Sequence, residues 1–369
     1  MLHIITHPLI GNYGGALQAY ALQQTVKELG YSVNVCEEIP SFARSEYYSP
    51  GKRLKWKQLK ERVKLILGRI SYVPVFLKRK IAKNFKNRFM IMGDRGDIKT
   101  GDAFIVGSDQ VWRLQYTRTY SGVEYFFLDF ATQEQREQSI TYAASFGTDE
   151  WEGTHDETVM CRELIRNFKA VSIRELSGVA LCQTIFGIHA VQMPDPTLLL
   201  KAEVYRDVIK QAHTWKPAKK YMATYVLDST EVTQQLIQET AQILGVYLQP
   251  MLPDARAMKI RDRFPMSVPQ WLRCIQDCEC MVTDSFHGCV FGIIFNKPFV
   301  CLGNAARGSS RFDTLLETFG LHERLLTNAT PQAIEQLMDR PIDWTVVNSK
   351  IAEERKRGLQ FLQQNLPKK

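Results

Sequence analysis

The chain has 369 residues, 45% of them hydrophobic and 23% charged, with a formal net charge of +8. That length suits two domains of ordinary size, and the composition is typical of a soluble globular chain rather than a disordered or fibrous one. It contains no run of about 18 uncharged apolar residues, so no transmembrane helix is expected.

Met1 to His7 lacks the basic region and long apolar core of a leader peptide. It reads as a first strand, Leu2 to Thr6, and a cytoplasmic location is expected. Gly11-Asn12-Tyr13-Gly14-Gly15 forms a glycine-rich turn. Ala16, Ala19, Leu22, Val26 and Leu29 then mark one face of a helix stopped by Gly30. Tyr31 to Val35 completes a βαβ opening, with glycines where backbone would approach a ligand closely. The turn is not the G-x-G-x-x-G fingerprint, and Glu37 or Glu38 is unconvincing as a ribose ligand, which argues against a dinucleotide site.

From Lys52 to Arg88 the chain carries fourteen Lys/Arg and one acid, Glu61, a local +13 that leaves −5 for the remainder. Leu59, Val63, Ile66 and Ile70 recur there at helical spacing, with Trp56, Tyr72, Phe76 and Phe85 as amphipathic aromatics. A basic amphipathic insertion of this kind suits peripheral contact with an anionic membrane, at the inner face if the protein is cytoplasmic. A merely solvated basic face is the bland alternative. Nucleic acid is not expected as a partner, because no recognised binding motif accompanies the patch.

Farther on, strands are expected at Ala103 to Val106, Ser139 to Ala144 and Ala170 to Ile173. They end at Gly107-Ser108-Asp109-Gln110-Val111-Trp112, at Ser145-Phe146-Gly147 and at Arg174-Glu175. Asp195-Pro196-Thr197 follows another short apolar segment. One parallel sheet would gather these polar clusters along its carboxyl rim, where open α/β sheets bind ligands. Lys216-Pro217-Ala218-Lys219-Lys220 punctuates the chain, and a second α/β series follows. It reads as strand Tyr221 to Leu227, helix Glu231 to Leu244, strand Val246 to Leu248, helix Val268 to Asp277 and strand Phe299 to Leu302. Ser349 to Leu366 reads as a last helix. Cys274, Cys278 and Cys280 form a C-x3-C-x-C cluster whose spacing matches no common zinc module, so buried free thiols are expected.

Within the second series, Met281-Val282-Thr283-Asp284-Ser285-Phe286-His287-Gly288 joins a buried strand to a buried helix. Ser285 and His287 thus fall at a helix start on a strand's carboxyl end. Unpaired N–H groups there attract anions, and a histidine there moves protons. The plainer reading, Ser285 as N-cap and His287 as a satisfied histidine, has equal standing for this segment alone.

Taken together, these clusters resemble the polysaccharide pyruvyl transferase family over most of the chain. The resemblance is carried by Gly11-Asn12-Tyr13-Gly14-Gly15 with Leu17-Gln18-Ala19-Tyr20, Val106 to Trp112, Ala143 to Gly147, Ser172 to Glu175, Asp195-Pro196-Thr197 and Thr283 to Gly288, in that order. It implies a fold of two doubly wound, Rossmann-like α/β domains facing a cleft, similar to glycosyltransferases of the GT-B type. It also implies phosphoenolpyruvate as donor, a sugar hydroxyl pair of a polysaccharide or lipid-linked saccharide as acceptor, and a cyclic pyruvate ketal as product. Neither a cofactor nor a metal is called for. On this reading residues 1–200 form an acceptor-side domain with a basic insertion at about 45–95. Residues 201–345 form a donor-side domain, and 346–369 a helix packing back on the first.

The site implied by the resemblance has His287 as general acid and Asp109 as a group that orients or deprotonates the acceptor. Asp109 has equal standing as a structural turn residue. Arg174 holds the donor, or else makes an ion pair with Glu175 or another acid. Ser285 binds anionic oxygen, while Gly11, Asn12 and Gly14 line the ligand. Asp284 and Asp195 read more simply as cap or turn acids. Some family members carry Arg-Leu-His where this chain has Ser285-Phe286-His287, so one cation is missing, and Arg307 and Arg311 are the candidates to replace it. Two further functions stay open: a nucleotide-sugar glycosyltransferase on the same scaffold, and a non-catalytic glycan-binding relative. The acceptor sugar, the bridged hydroxyls and the oligomeric state are not specified by these motifs.

Overall fold

The computed structural model describes residues 1–37, 52–67, 72–118, 122–217, 219–255, 257–303 and 309–368. In the first half, strands β1 (Leu2–Thr6), β2 (Val33–Glu37), β3 (Ala103–Val106) and β4 (Ile140–Thr141) pair in the order β2-β1-β3-β4, all parallel. Strands β5 (Ser172–Ile173) and β6 (Val191–Gln192) pair with each other, and single bridges from Ile140 to Ala170 and Ala144 to Ile173 join them to this sheet. In the second half, β7 (Tyr221–Tyr225), β8 (Tyr247–Pro250), β9 (Cys280–Thr283), β10 (Phe299–Leu302) and β11 (Leu325–Leu326) pair in the order β11-β10-β9-β7-β8, again all parallel.

The helices that matter for the site are α1 (Tyr13–Glu28), α2 (Lys52–Ile66), α3 (Val75–Phe89), α4 (Ala202–Lys210), α5 (Val268–Asp277), α6 (Phe286–Ile294), α7 (Ser310–Phe319) and α8 (Trp344–Asn365). Strand periodicity sorts the core. Ile5 with Phe104 and Val106 faces one apolar cluster, while Leu2, Ile4 and Ile105 face another beside Ala19, Leu22 and Val26 of α1. Likewise Tyr221, Ala223 and Tyr225 turn one way and Met222 the other. The halves share a core at α1, where the Tyr13 ring stacks on Trp271 of α5 at 5.7 Å between centroids.

Strand order reverses at two places, between β1 and β3 and between β7 and β9. Such switch points leave a crevice at the carboxyl ends. The two crevices open onto a single cleft lined by His7, Asn12 and Asp109 from one sheet and Tyr225, Asp284 and His287 from the other.

Several expected boundaries move, for local reasons. Tyr31 and Ser32 precede β2 because Tyr31 N–H caps α1 by donating to Val26 O. The segment expected at Ser139 to Ala144 is a two-residue strand, since Ala143 sits at a left-handed φ of 46° and leaves the ladder. The basic insertion forms α2 and α3; its expected beginning, 45–51, lies outside the described residues. Helix α3 packs Phe85 against Tyr20 of α1, and buried Lys86 pairs with Glu37 at the end of β2. No helix among the described residues is long and apolar enough to cross a membrane. All eight cysteines are buried free thiols, those of the C-x3-C-x-C cluster included.

Candidate active site

The cleft holds about 850 Å³ and is walled by both halves and by Tyr72, Val73 and Lys78 of the basic insertion. Behind its inner end lies a group of buried charges, Arg174 and Asp195, that lines a small pocket with Phe286 and Arg311. Arg174 follows β5, and its Nη1 donates to Asp195 Oδ2 at 2.9 Å with both side chains buried. Its Nε and Nη2 have no hydrogen-bond partner among the described residues. The same Asp195 oxygen lies 3.4 Å from His287 Nε2, placed too obliquely for a hydrogen bond, and 3.5 Å from Ser108 Oγ. Asp195 Oδ1 accepts from Thr197 N and Oγ1 at 3.0 and 2.7 Å. Asp195 is thus a turn cap on one oxygen and a charge partner on the other. Burial alone would raise it, but His287 and Arg174 outweigh burial and hold its carboxyl well below the usual range.

Arg174 does not pair with Glu175. The Glu175 carboxylate turns away and accepts from the N–H of Phe146 and Gly147 at 2.7 and 3.3 Å. A second guanidinium, Arg311 at the start of α7, lines both the cleft and the small pocket of Arg174 and Asp195. The Phe286 ring lies 4.4 Å from Arg174 Cζ and 5.9 Å from Arg311 Cζ. Burial, with Arg174 nearby, pulls Arg311 down to about 10. Arg311 therefore brings a cation to the end of the cleft where Ser285-Phe286-His287 supplies none. Arg307 lies outside the described residues.

Asp109 sits beyond the β3 end with φ at 73°, a left-handed conformation costly for a non-glycine residue. Asn12 Nδ2 donates to its Oδ2 at 3.0 Å, and Gln110 N to its Oδ1 at 2.9 Å. Asn12 is also the N-cap of α1, its Oδ1 accepting from Gly15 N at 2.8 Å. Burial pushes the Asp109 carboxyl up, but Arg174, His287 and His7 together hold it low. It is a carboxylate at neutral pH and lines the cleft.

His287 is the second residue of α6, in the turn that Ser285 caps. Ser285 Oγ accepts from Gly288 N at 3.4 Å, so Ser285 does cap this helix. Asp284 bonds across the switch point, accepting from Leu227 N and Asp228 N at 2.6 and 2.9 Å. The expected close approach at Gly14 is made by the protein itself: a Cβ there would occupy the space of the His287 ring. Gly11, at φ 71°, lies under the Lys78 side chain and lines the cleft with Asn12.

One cleft residue was missed from the sequence. His7, directly after β1, packs edge-on to Phe126, and its Nε2 lies 2.8 Å from Gln110 O. Burial lowers its pKa, which keeps the ring neutral near pH 7. Its place at a strand's carboxyl end was the signal that could have found it. Among the described residues no group of three or more His, Cys, Asp or Glu is arranged to hold a metal ion.

This arrangement can bind a small multivalent anion, supply a proton from imidazole and accept one on a carboxylate. None of the curated proteins matches the sequence. Solved structures do match the fold. UDP-GlcNAc 2-epimerase from Neisseria meningitidis, bound to UDP-GlcNAc, aligns over 99% of this chain and 100% of its own, with 11% identity and a TM-score of 0.55. The MnaA–UDP complex from S. aureus aligns over 98% and 96%, with 12% identity and a TM-score of 0.51. At these identities the likeness establishes a GT-B-like fold of two α/β domains about a cleft. The family model for polysaccharide pyruvyl transferase matches residues 12–305, which takes in Asn12 to Gly15 of the glycine-rich turn, Asp109, Arg174, Asp195 and His287, and the chain belongs to that family.

Proposed function

We propose that the protein transfers a pyruvyl group from phosphoenolpyruvate to two hydroxyls of a glycan, a polysaccharide or a lipid-linked saccharide, releasing phosphate. The observation that carries this reading is Arg174: a buried guanidinium with one nitrogen committed to Asp195 and two without hydrogen-bond partners among the described residues, in a small pocket that it shares with Arg311 and Phe286 beside the cleft. Phosphoenolpyruvate carries a phosphate and a carboxylate, and two guanidinium groups match that pair of anions.

In the proposed reaction His287 gives its proton to the donor's methylene, and C2 becomes an oxocarbenium-like centre. Asp195 Oδ2 lies 3.4 Å from the His287 ring, and the bound donor would face it from the cleft. The first sugar oxygen attacks C2 as its proton passes to Asp109, which Asn12 holds in place. The C2–O bond to phosphorus then breaks and phosphate leaves. The second hydroxyl closes the ketal and passes its proton to the now neutral His287, which restores the acid, while Asp109 gives its proton to the released phosphate. The arginines stabilise the phosphate as charge accumulates on it.

A calorimetric titration with phosphoenolpyruvate tests the donor, and phosphate release with added glycan tests the transfer. Binding by the wild type that is lost in Arg174→Ala supports the reading. Absence of binding at millimolar donor, or nucleotide release from a sugar nucleotide in place of phosphate release, would replace it with glycosyl transfer. Donor binding without turnover on any glycan would favour a binding protein. The proposal extends to location: a cytoplasmic protein whose basic helices touch the inner membrane face.

A further inference from the structure

The surface built by α2 and the 257–263 turn takes no part in the chemistry above. On α2, Leu59, Val63 and Ile66 share one helix face by their spacing, yet they are 50%, 44% and 41% exposed. The buried side chain of this segment is Leu65, which joins Leu77 and Ala255 in a small apolar cluster. So α2 has two apolar aspects, one inward and one turned to solvent. Lys57, Lys60, Arg62 and Lys64 are exposed around the outer one. Glu61 is already engaged, taking Lys64 Nζ at 3.0 Å and the Tyr72 hydroxyl at 2.6 Å. Lys57, Lys60 and Arg62 have no ion pair among the described residues.

A second strip comes from the other half of the molecule. The turn Ile260–Arg263 packs on α2, and Arg263 Nη1 donates to Ile66 O at 2.9 Å. Just before it, Met258 is 96% exposed, and Ile260 is exposed as well. Aliphatic groups beside Lys57, Lys60 and Arg62, which have no ion pair among the described residues, suit the boundary between lipid headgroups and acyl chains. They suit nucleic acid poorly, which calls for flat rings on which bases stack, and the Tyr72 hydroxyl is already tied to Glu61.

We infer that this two-part face, Leu59, Val63 and Ile66 of α2 with Met258 and Ile260 of the turn, docks on an anionic lipid bilayer. The inference deepens the membrane contact proposed above and is independent of pyruvyl transfer. Because Tyr72, whose hydroxyl is bonded to Glu61 of α2, walls the cleft with Val73 and Lys78, docking puts the cleft mouth beside the bilayer.

Co-sedimentation of the full chain with vesicles tests it, using phosphatidylcholine alone and phosphatidylcholine mixed with phosphatidylglycerol. The expected result is binding to the mixed vesicles only, weakened by salt. Leu59→Glu/Val63→Glu and Met258→Glu/Ile260→Glu should each weaken it about tenfold or more, since each basic contact with such a surface is worth about fivefold and a buried aliphatic group at least as much. All four positions are exposed, so unchanged melting temperatures certify the fold. Equal binding to neutral vesicles, no binding, or binding that only one of the two variants weakens would overturn the two-part face. So would a dimer that Val63→Glu splits, or equal affinity for a duplex oligonucleotide. Phosphate release assayed in detergent-free solution reports on the catalytic reading separately.

Discussion

At the scale of single residues, Arg311 and Gly14 separate binding from geometry. Arg311 supplies the second cation beside Phe286, whereas Arg174 is committed to Asp195 through Nη1. Arg311→Ala should raise the apparent KM for the donor about tenfold or more with a smaller effect on kcat, as expected for loss of a charge-assisted contact worth about 1.5–3 kcal/mol. An unchanged KM would remove Arg311 from the donor site. Gly14→Ala acts on His287, whose ring fills the space a Cβ would take. Displacing an acid by about 1 Å costs on the order of a hundredfold in turnover. The variant should therefore lose turnover while retaining donor binding through the arginines, which steady-state rates beside calorimetry would reveal.

At the scale of elements, the start of α6 carries two duties that one substitution separates. The Ser285 oxygen accepts from Gly288 N, yet its O–H remains available to a substrate oxygen. Ser285→Ala should cost about 1 kcal/mol of stability through the lost cap, and should raise the donor KM severalfold. If denaturant melts shift and KM does not, Ser285 is a cap alone. The amino-terminal rim of the first sheet has its own charge cluster. Asp102, just before β3, accepts from His3 Nε2 of β1 at 3.0 Å and from Lys99 N at 2.8 Å. Burial would raise its carboxyl, but these bonds and the amino terminus bring it to about 2, below its ordinary 3.8. With the folded value depressed, the stabilisation is present above pH 3.8 and is lost as pH falls through 2. In urea melts, wild type should exceed Asp102→Asn above pH 4 and converge with it toward pH 2.

Much of this was legible in the chain. The apolar strands and the glycine-rich turn stand at expected places because hydrophobic periodicity and turn chemistry are local properties. Asp109, Arg174 and His287 were legible because each follows a strand, and parallel sheets gather strand ends. What sequence could not give is pairing across the cleft. That Arg174 takes Asp195 rather than Glu175 depends on which way two adjacent side chains turn at a strand end. That Gly14 makes room for His287, rather than for a ligand, depends on how the two sheets face each other.

At the scale of the molecule, the halves are joined more than once. The chain passes from β6 through Leu198 to Leu200 into α4, and α8 then returns. Val347 and Ile351, early in α8, lie in the core of the second half, whereas Phe361 and Leu362, late in α8, lie in that of the first. Arg355, between them, donates to Leu199 O and Leu200 O at 3.0 and 2.9 Å, so the returning helix is fastened to the outgoing strand of chain. Two connections laid side by side act as a hinge with a single axis. They permit the halves to rock about the line they define and resist twisting or sliding. Opening the cleft would then part His287 from Asp109 and Gly14 together and return them along the same arc, so that the proposed acid and base arrive in register at each closure. A protease cut between residues 211 and 217 should leave two pieces that co-elute on gel filtration and still bind donor, since α8 alone preserves that arc.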